Sequence, residues 1–344
     1  MKSILKGLLV IIAPIILWSC AGPLPDVVWP LPPDPPRIKY VTSYHRGGDV
    51  SPTSIATEII LGAETAFTIR KPSGIHVDKD GRLFITDTAK ADVFVFDPEK
   101  GKATSVTSEG VRGFFKPIGV ATDSKGRVFI TDSQADRVTV LDSEYKLLGY
   151  LETQAPFNQP TGIAVDEANN RLYVVDTHNH HVQAFALDTL EFEKIIGGRS
   201  KEEGGFNFPS HITVDNEGAL YVTDTMNARI QIFDKEGRFL RSFGQFGDVP
   251  GMFARPKGVE VDSEGHIYVV DAAFNNVQIF NQEGVPLLHF GGYGSDRGQM
   301  ILPSGIAIND EDYIYVVDSW NERVNVYEFL GEKHKAREAK GGGS

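Results

Sequence analysis

The chain has 344 residues, with 34 Lys+Arg against 46 Asp+Glu for a formal net charge of −12, and 41% hydrophobic and 10% aromatic residues. That is enough apolar material for a large packed core, while the acidic balance excludes a nucleic-acid partner, whose phosphates require clustered positive charge. One cysteine excludes an internal disulfide and a cysteine-based zinc site.

In chain order, Lys2 and Lys6 precede an apolar run from Gly7 to Trp18, followed by Ser19 and Cys20. The run is too short for a stable membrane span and has the layout of a secretory signal peptide. Leu17-Trp18-Ser19-Cys20 resembles the bacterial lipobox, Leu-x-Ser/Ala/Gly-Cys. The resemblance implies cleavage before Cys20, acylation of that cysteine and stable anchoring by several acyl chains. Ala21 is compatible with the outer membrane of a Gram-negative bacterium, on its periplasmic or cell-surface side. Residues 23–36 hold seven prolines in fourteen positions, a composition that favours an extended, semi-rigid spacer.

The remainder repeats. A unit of the form Pro-x-Gly-Ile/Val-x-Val-Asp, a turn, then Leu/Ile-Tyr/Phe-Val/Ile-x-Asp recurs six times, anchored on Pro72, Pro117, Pro160, Pro209, Pro256 and Pro303. The separations of 45, 43, 49, 47 and 47 residues point to the blades of a propeller. Period-two patterning gives each unit four short strands, a to d, joined by Asp-, Asn- and Gly-rich hairpin turns. The sixth unit lacks strand d, and Arg37–Tyr44 is an orphan strand ahead of the first unit. That strand is expected to complete the last blade and close the ring, removing an open sheet edge. From Gly331 the chain is polar and is expected to be disordered.

Asp224-Thr-Met-Asn-Ala-Arg-Ile230 and Asp318-Ser-Trp-Asn-Glu-Arg-Val324 resemble the NHL-repeat consensus, with weaker copies at Asp87, Asp132 and Asp271. The resemblance implies an all-β, six-bladed β-propeller. The organisation is therefore a signal peptide at 1–19, the lipidated Cys20 and linker at 20–36, the propeller at 37–330 and a tail at 331–344.

The aspartates ending strand b recur in every unit and are read as scaffold; positions that break the repeat carry more information. Strand a lines the channel of a propeller, which places His76, His211, Thr213 and Glu260 there, and His76, His211 and Glu260 are candidate ligands for Ca or Zn. They come from units one, four and five, so meeting at one ion is geometrically demanding. The b–c loops share a face with the start of strand a. Gln134, His178, His180, His181, Met226, Arg229, Phe274 and Trp320 lie on or beside them, with long d–a connections after units three to five. Aromatic and Met side chains on one face suit a partner-binding surface.

The expected function is a membrane-anchored, non-catalytic scaffold or adaptor that binds an envelope protein or peptide through its loop face. The lipoprotein resemblance makes a multihaem cytochrome or an export complex a conceivable partner. The alternative is a metal-dependent enzyme with a central-channel site. Six-bladed relatives of that kind are gluconolactonase-type hydrolases and peptidyl amidating lyase, whose ligand sets do not map onto this chain residue by residue.

Overall fold

The computed structural model describes residues 25–50, 67–109 and 113–341. The signal peptide and Cys20 lie outside the described residues.

Six antiparallel sheets follow one another around a ring. Blade one is built of β3 (Pro72–Val77), β4 (Leu83–Asp87), β5 (Asp92–Asp97) and β6 (Lys102–Ser105). Blades two to five repeat it with β7–β10 (residues 117–150), β11–β14 (160–197), β15–β18 (209–243) and β19–β22 (256–291). Blade six takes β23 (Pro303–Ile308), β24 (Tyr313–Asp318) and β25 (Arg323–Phe329) from the end of the chain. Its fourth strand is β2 (Ile38–Tyr44), paired antiparallel to β25 with Ile38 opposite Phe329 and Tyr44 opposite Val324. The chain therefore closes its own ring, as the orphan strand predicts.

The core is a set of six clusters, each wedged between neighbouring blades. Strand b supplies much of it. Its residues are buried on both faces, as in Leu83–Asp87 and Leu220–Asp224, so it reads as an apolar run rather than an alternation.

The a strands meet most closely at Gly74, Gly119, Gly162, Gly258 and Gly305. A Cβ on Gly74 would stand 2.1 Å from the Ile118 carbonyl oxygen of the next blade, and one on Gly119 would stand 2.2 Å from that of Thr161. The repeated glycine is thus required by backbone approach. His211 occupies the equivalent position in blade four.

Two segments differ from expectation. Residues 25–36 are not a free spacer: β1 (Val28–Trp29) adds a fifth strand to blade six, outside β2. The Trp29 ring packs on Phe290 and Tyr327, with centroids 6.0 and 5.9 Å away, and Arg297 donates to the Pro25 carbonyl at 3.0 Å. Proline content predicted an extended backbone but not the surface that receives it.

The expected disordered tail forms α1 (Glu332–Gly341). This helix has no apolar stripe and is held by polar contacts instead. His334 and Arg337 reach Glu328 at 2.8 and 2.5 Å, and the Arg337 guanidinium lies over the Tyr313 ring. Burial raises the Glu328 pKa, but these two partners outweigh it, so the net shift is downward.

Candidate functional site

The aspartate closing each b strand organises the loop face. Its carboxylate receives backbone N–H groups from the incoming d–a connection: Arg70 at 2.6 Å on Asp87, Phe115 and Lys116 at 2.9 Å on Asp132, Asn207 at 2.7 Å on Asp224. The same oxygens cap the b–c loop, as from Ala89 and Lys90 to Asp87. These carboxylates are buried structural pins, as repetition suggested.

A second device joins successive blades. One residue in each b–c loop is left-handed: Ala91, Asp136, His180, Ala228, Asn275 and Glu322, with φ between 50 and 59°. In three blades its side chain accepts the backbone N–H that precedes the next blade's proline. Asp136 takes Gln159 at 2.7 Å, His180 takes Phe208 at 3.0 Å and Asn275 takes Leu302 at 2.9 Å.

This resolves the Thr-His-Asn-His-His loop. His180 is buried, its Nδ1 committed to Phe208 and its ring 4.4 Å from the Phe208 ring. His181 lies against Asp176 at 3.3 Å, and only His178 is exposed. Arg229, expected on the partner face, spends its guanidinium on Asp224 at 2.9 Å and on the Glu202 and Gly205 carbonyls. Its role is to brace the loop.

The long d–a connections share one design. Parallel bridges Arg199 to Phe206, Phe246 to Phe253 and Tyr293 to Met300 close each loop, with Phe206, Phe253 and Met300 fully buried beneath. Buried amides of strand c hold the loops from inside. Gln231 bonds Gly204 and Gly205, Gln278 bonds Gly251 and Met252, and Asn325 bonds the Gln299 carbonyl.

Apolar side chains stand on this braced frame. Phe246 is 79% exposed, Tyr293 74%, Trp320 69% and Met226 64%. Phe115 and Gln134 are also exposed, whereas Phe274 is half-buried. Of these, sequence reasoning singled out Trp320, Met226, Gln134 and Phe274. It placed Phe246 and Tyr293 only within long connections, although their recurrence at one repeat position was a usable signal.

The channel holds a cavity of about 260 Å³ lined by His76, His211, Thr213 and Glu260. Each is engaged with a neighbour. The Thr122 backbone N–H and hydroxyl both lie on His76 Nε2, at 3.3 and 2.8 Å, so that nitrogen accepts and Nδ1 carries the proton. His211 Nδ1 is 3.0 Å from the Ser210 hydroxyl. The Thr213 hydroxyl donates to Glu260 at 2.5 Å, and the Val261 N–H joins it at 3.2 Å.

Burial pushes His76 down to about 4 and His211 to about 3, the latter helped by the nearby Lys257 charge. Burial pushes Glu260 up to about 7, against the two hydrogen bonds it accepts. Both imidazoles are therefore neutral at pH 7 and the carboxyl is poised. The candidate metal set is not gathered, and no group of three or more His, Cys, Asp or Glu suited to a metal ion occurs among the described residues.

Comparison with known proteins agrees with this architecture. A family model described as NHL repeat matches residues 157–185, and one described as 6-bladed beta-propeller matches residues 201–277. Protein brain tumor of Drosophila melanogaster is 35% identical over 98 residues, which is 28% of this chain and 9% of that protein. The chain thus spans only a small part of that relative's length.

Among solved structures, an auxiliary nutrient binding protein from Bacteroides thetaiotaomicron superposes with a TM-score of 0.61 at 17% identity, covering 76% of this chain and 70% of that one. Virginiamycin B lyase from Staphylococcus aureus gives 0.53 at 17% identity, covering 76% and 86%. These likenesses are of fold. The molecule is a six-bladed β-propeller, and its segment 157–185 matches the NHL repeat.

Proposed function

We propose that this propeller is a non-catalytic binding module that docks an envelope protein or peptide through its loop face, anchored by a lipid on Cys20. The observation that supports the reading is the pairing of exposed aromatic side chains with a rigid frame. Phe246, Tyr293 and Trp320 are exposed, yet the loops beneath them are tied by buried Asp, Gln and Asn side chains. Rigid aromatic anchors lose little conformational freedom on binding, which distinguishes a docking surface from a mobile loop. The docking of residues 25–36 on blade six leaves a short reach between Cys20 and the folded domain, about 3.3–3.6 Å per residue at full extension. On this reading the edge of blade six lies close to the membrane.

The test is quantitative capture from detergent-solubilised envelopes with the full chain and with a Phe246→Ser, Tyr293→Ser, Trp320→Ser variant. A discrete partner retained by the parent and lost at least roughly tenfold by the variant, about 1.4 kcal/mol or more, is the expected result. Equal retention by a folded variant refutes the loop face as the docking surface.

A further inference from the structure

The outer grooves between blades are closed in different ways. One register position of strand d decides it: Lys194 opposite Ala184 in blade three, Arg241 opposite Ile232 in blade four and Leu288 opposite Ile279 in blade five. Lys194 crosses to the c–d turn of blade four, where its ammonium donates to the Glu236 carbonyl at 2.6 Å. Arg241 crosses to that of blade five and donates to the Gln282 side-chain oxygen at 2.9 Å. Between blades five and six, Leu288 packs on the same cluster as Trp29 of β1, which the chain itself lays there.

Blade two breaks this series. Its residue at the position is Gly149, opposite Val140 in β10 (Leu147–Tyr150). A Cβ there would meet nothing within 4 Å. The groove between blades two and three is open, a cavity of about 770 Å³. Leu148 and Tyr150 line it from β10, Glu152 from the start of the d–a connection, and Glu191 and Phe192 from blade three. Among the described residues no lysine or arginine lines it.

Both carboxylates lack a cation. Glu191 is met by the Thr189 hydroxyl at 3.3 Å, and Glu152 has no side-chain hydrogen bond or ion pair among the described residues. Two cations stand near without lining the groove, and each is engaged. Arg127 bonds Asp123 and the Leu187 carbonyl, both at 2.6 Å. Arg137 lies over the Tyr150 ring at 4.5 Å and 3.8 Å from the Asp132 carboxylate.

The backbone is also unfilled. β10 is the outermost strand of its sheet and pairs only with the strand inside it. On blade six the corresponding strand, β2, takes β1 as a further strand, with Val28 opposite Lys39. The molecule thus shows what such an edge can hold: a short extended segment with an aromatic anchor.

We infer that the groove between blades two and three is a docking site for an extended segment of a protein partner. The segment adds to the free edge of β10, lays an apolar side chain on Leu148 and Tyr150, 58% and 48% exposed, and brings a lysine or arginine to Glu152 and Glu191. That cation takes the place that Lys194 and Arg241 fill in the next two grooves. The site lies outside the aromatic loop face, and the variants that test the two do not overlap.

The experiment selects random decapeptides displayed on phage against the full chain, then measures the enriched peptides by fluorescence anisotropy. Peptides with a lysine or arginine among alternating apolar residues are expected. Glu152→Lys, Glu191→Lys should weaken them roughly tenfold or more, the scale of a lost complementary charge pair at an interface. The near-isosteric Glu152→Gln, Glu191→Gln should weaken them in the same direction, and Leu148→Ser, Tyr150→Ser should as well. Added sodium chloride should weaken binding. The Phe246→Ser, Tyr293→Ser, Trp320→Ser variant and Glu217→Lys, on the a–b turn of blade four, should leave it unchanged. Melting curves of the two glutamate variants close to the parent's exclude misfolding, as expected for carboxylates without a cationic partner. No enriched peptide, enriched peptides without a basic residue, or peptides that bind the glutamate variants as they bind the parent would overturn the site. Peptides lost only by the loop-face variant would do so too, while leaving the loop-face reading intact.

Discussion

At the scale of single residues, two positions carry the sharpest expectations. Gly74 and Gly119 have ordinary backbone angles, so their need for glycine is spatial: a methyl group would meet a neighbouring carbonyl that cannot move without opening the ring. Gly74→Ala and Gly119→Ala should each destabilise by about 1–3 kcal/mol. Gly113→Ala, with open space around it, should be near neutral; chemical denaturation compares the three.

Glu260 carries the second. Its folded pKa of about 7 lies above the ordinary 4.5 because of burial, so the native state prefers the protonated form. Stability is full below the ordinary value and is lost as pH rises through 7. Glu260→Gln should therefore raise the melting temperature at pH 8, through a stabilisation on the order of 1–2 kcal/mol after discounting for channel water, and the gain should vanish near pH 4.5. A gain independent of pH would show that ionisation is not the cause. His76 and His211 act oppositely: their lowered values make stability fall as pH drops below the ordinary 6.5.

At the scale of elements, β1 is the least expected and most testable piece. Trp29→Ala removes contacts with Phe290 and Tyr327 and should cost about 1–3 kcal/mol, less than a fully buried tryptophan. An unchanged melt would mean that residues 25–36 do not stabilise blade six.

The four-stranded units, their turns and the closing strand were legible because each follows a local rule repeated six times. Docked β1 was not legible, because the Phe290 and Tyr327 rings that receive Trp29 belong to blades five and six, more than 200 residues away in sequence. Helix α1 was missed because Glu328, which holds it through His334 and Arg337, leaves no apolar period to read. His180 and Arg229 looked like surface groups, since nothing local shows that they brace backbone in neighbouring loops.

At the scale of the whole molecule, closure by β2 leaves a rigid ring whose two faces differ. One carries turns pinned by Asp78, Asp123 and Asp262. The other carries the starts of the a strands and the exposed Phe246, Tyr293 and Trp320. A scaffold that must hold a partner gains from such rigidity, because little conformational freedom is left to lose.

The most direct measurement is site-specific photo-crosslinking in intact cells, with a photoreactive phenylalanine placed at Tyr293 and, in a second strain, at Lys79 on the opposite face. The account predicts a discrete adduct from position 293 that disappears when Phe246 and Trp320 are changed to serine, with none from position 79. No adduct from 293, or adducts of the same pattern from both positions, would contradict a dedicated docking face.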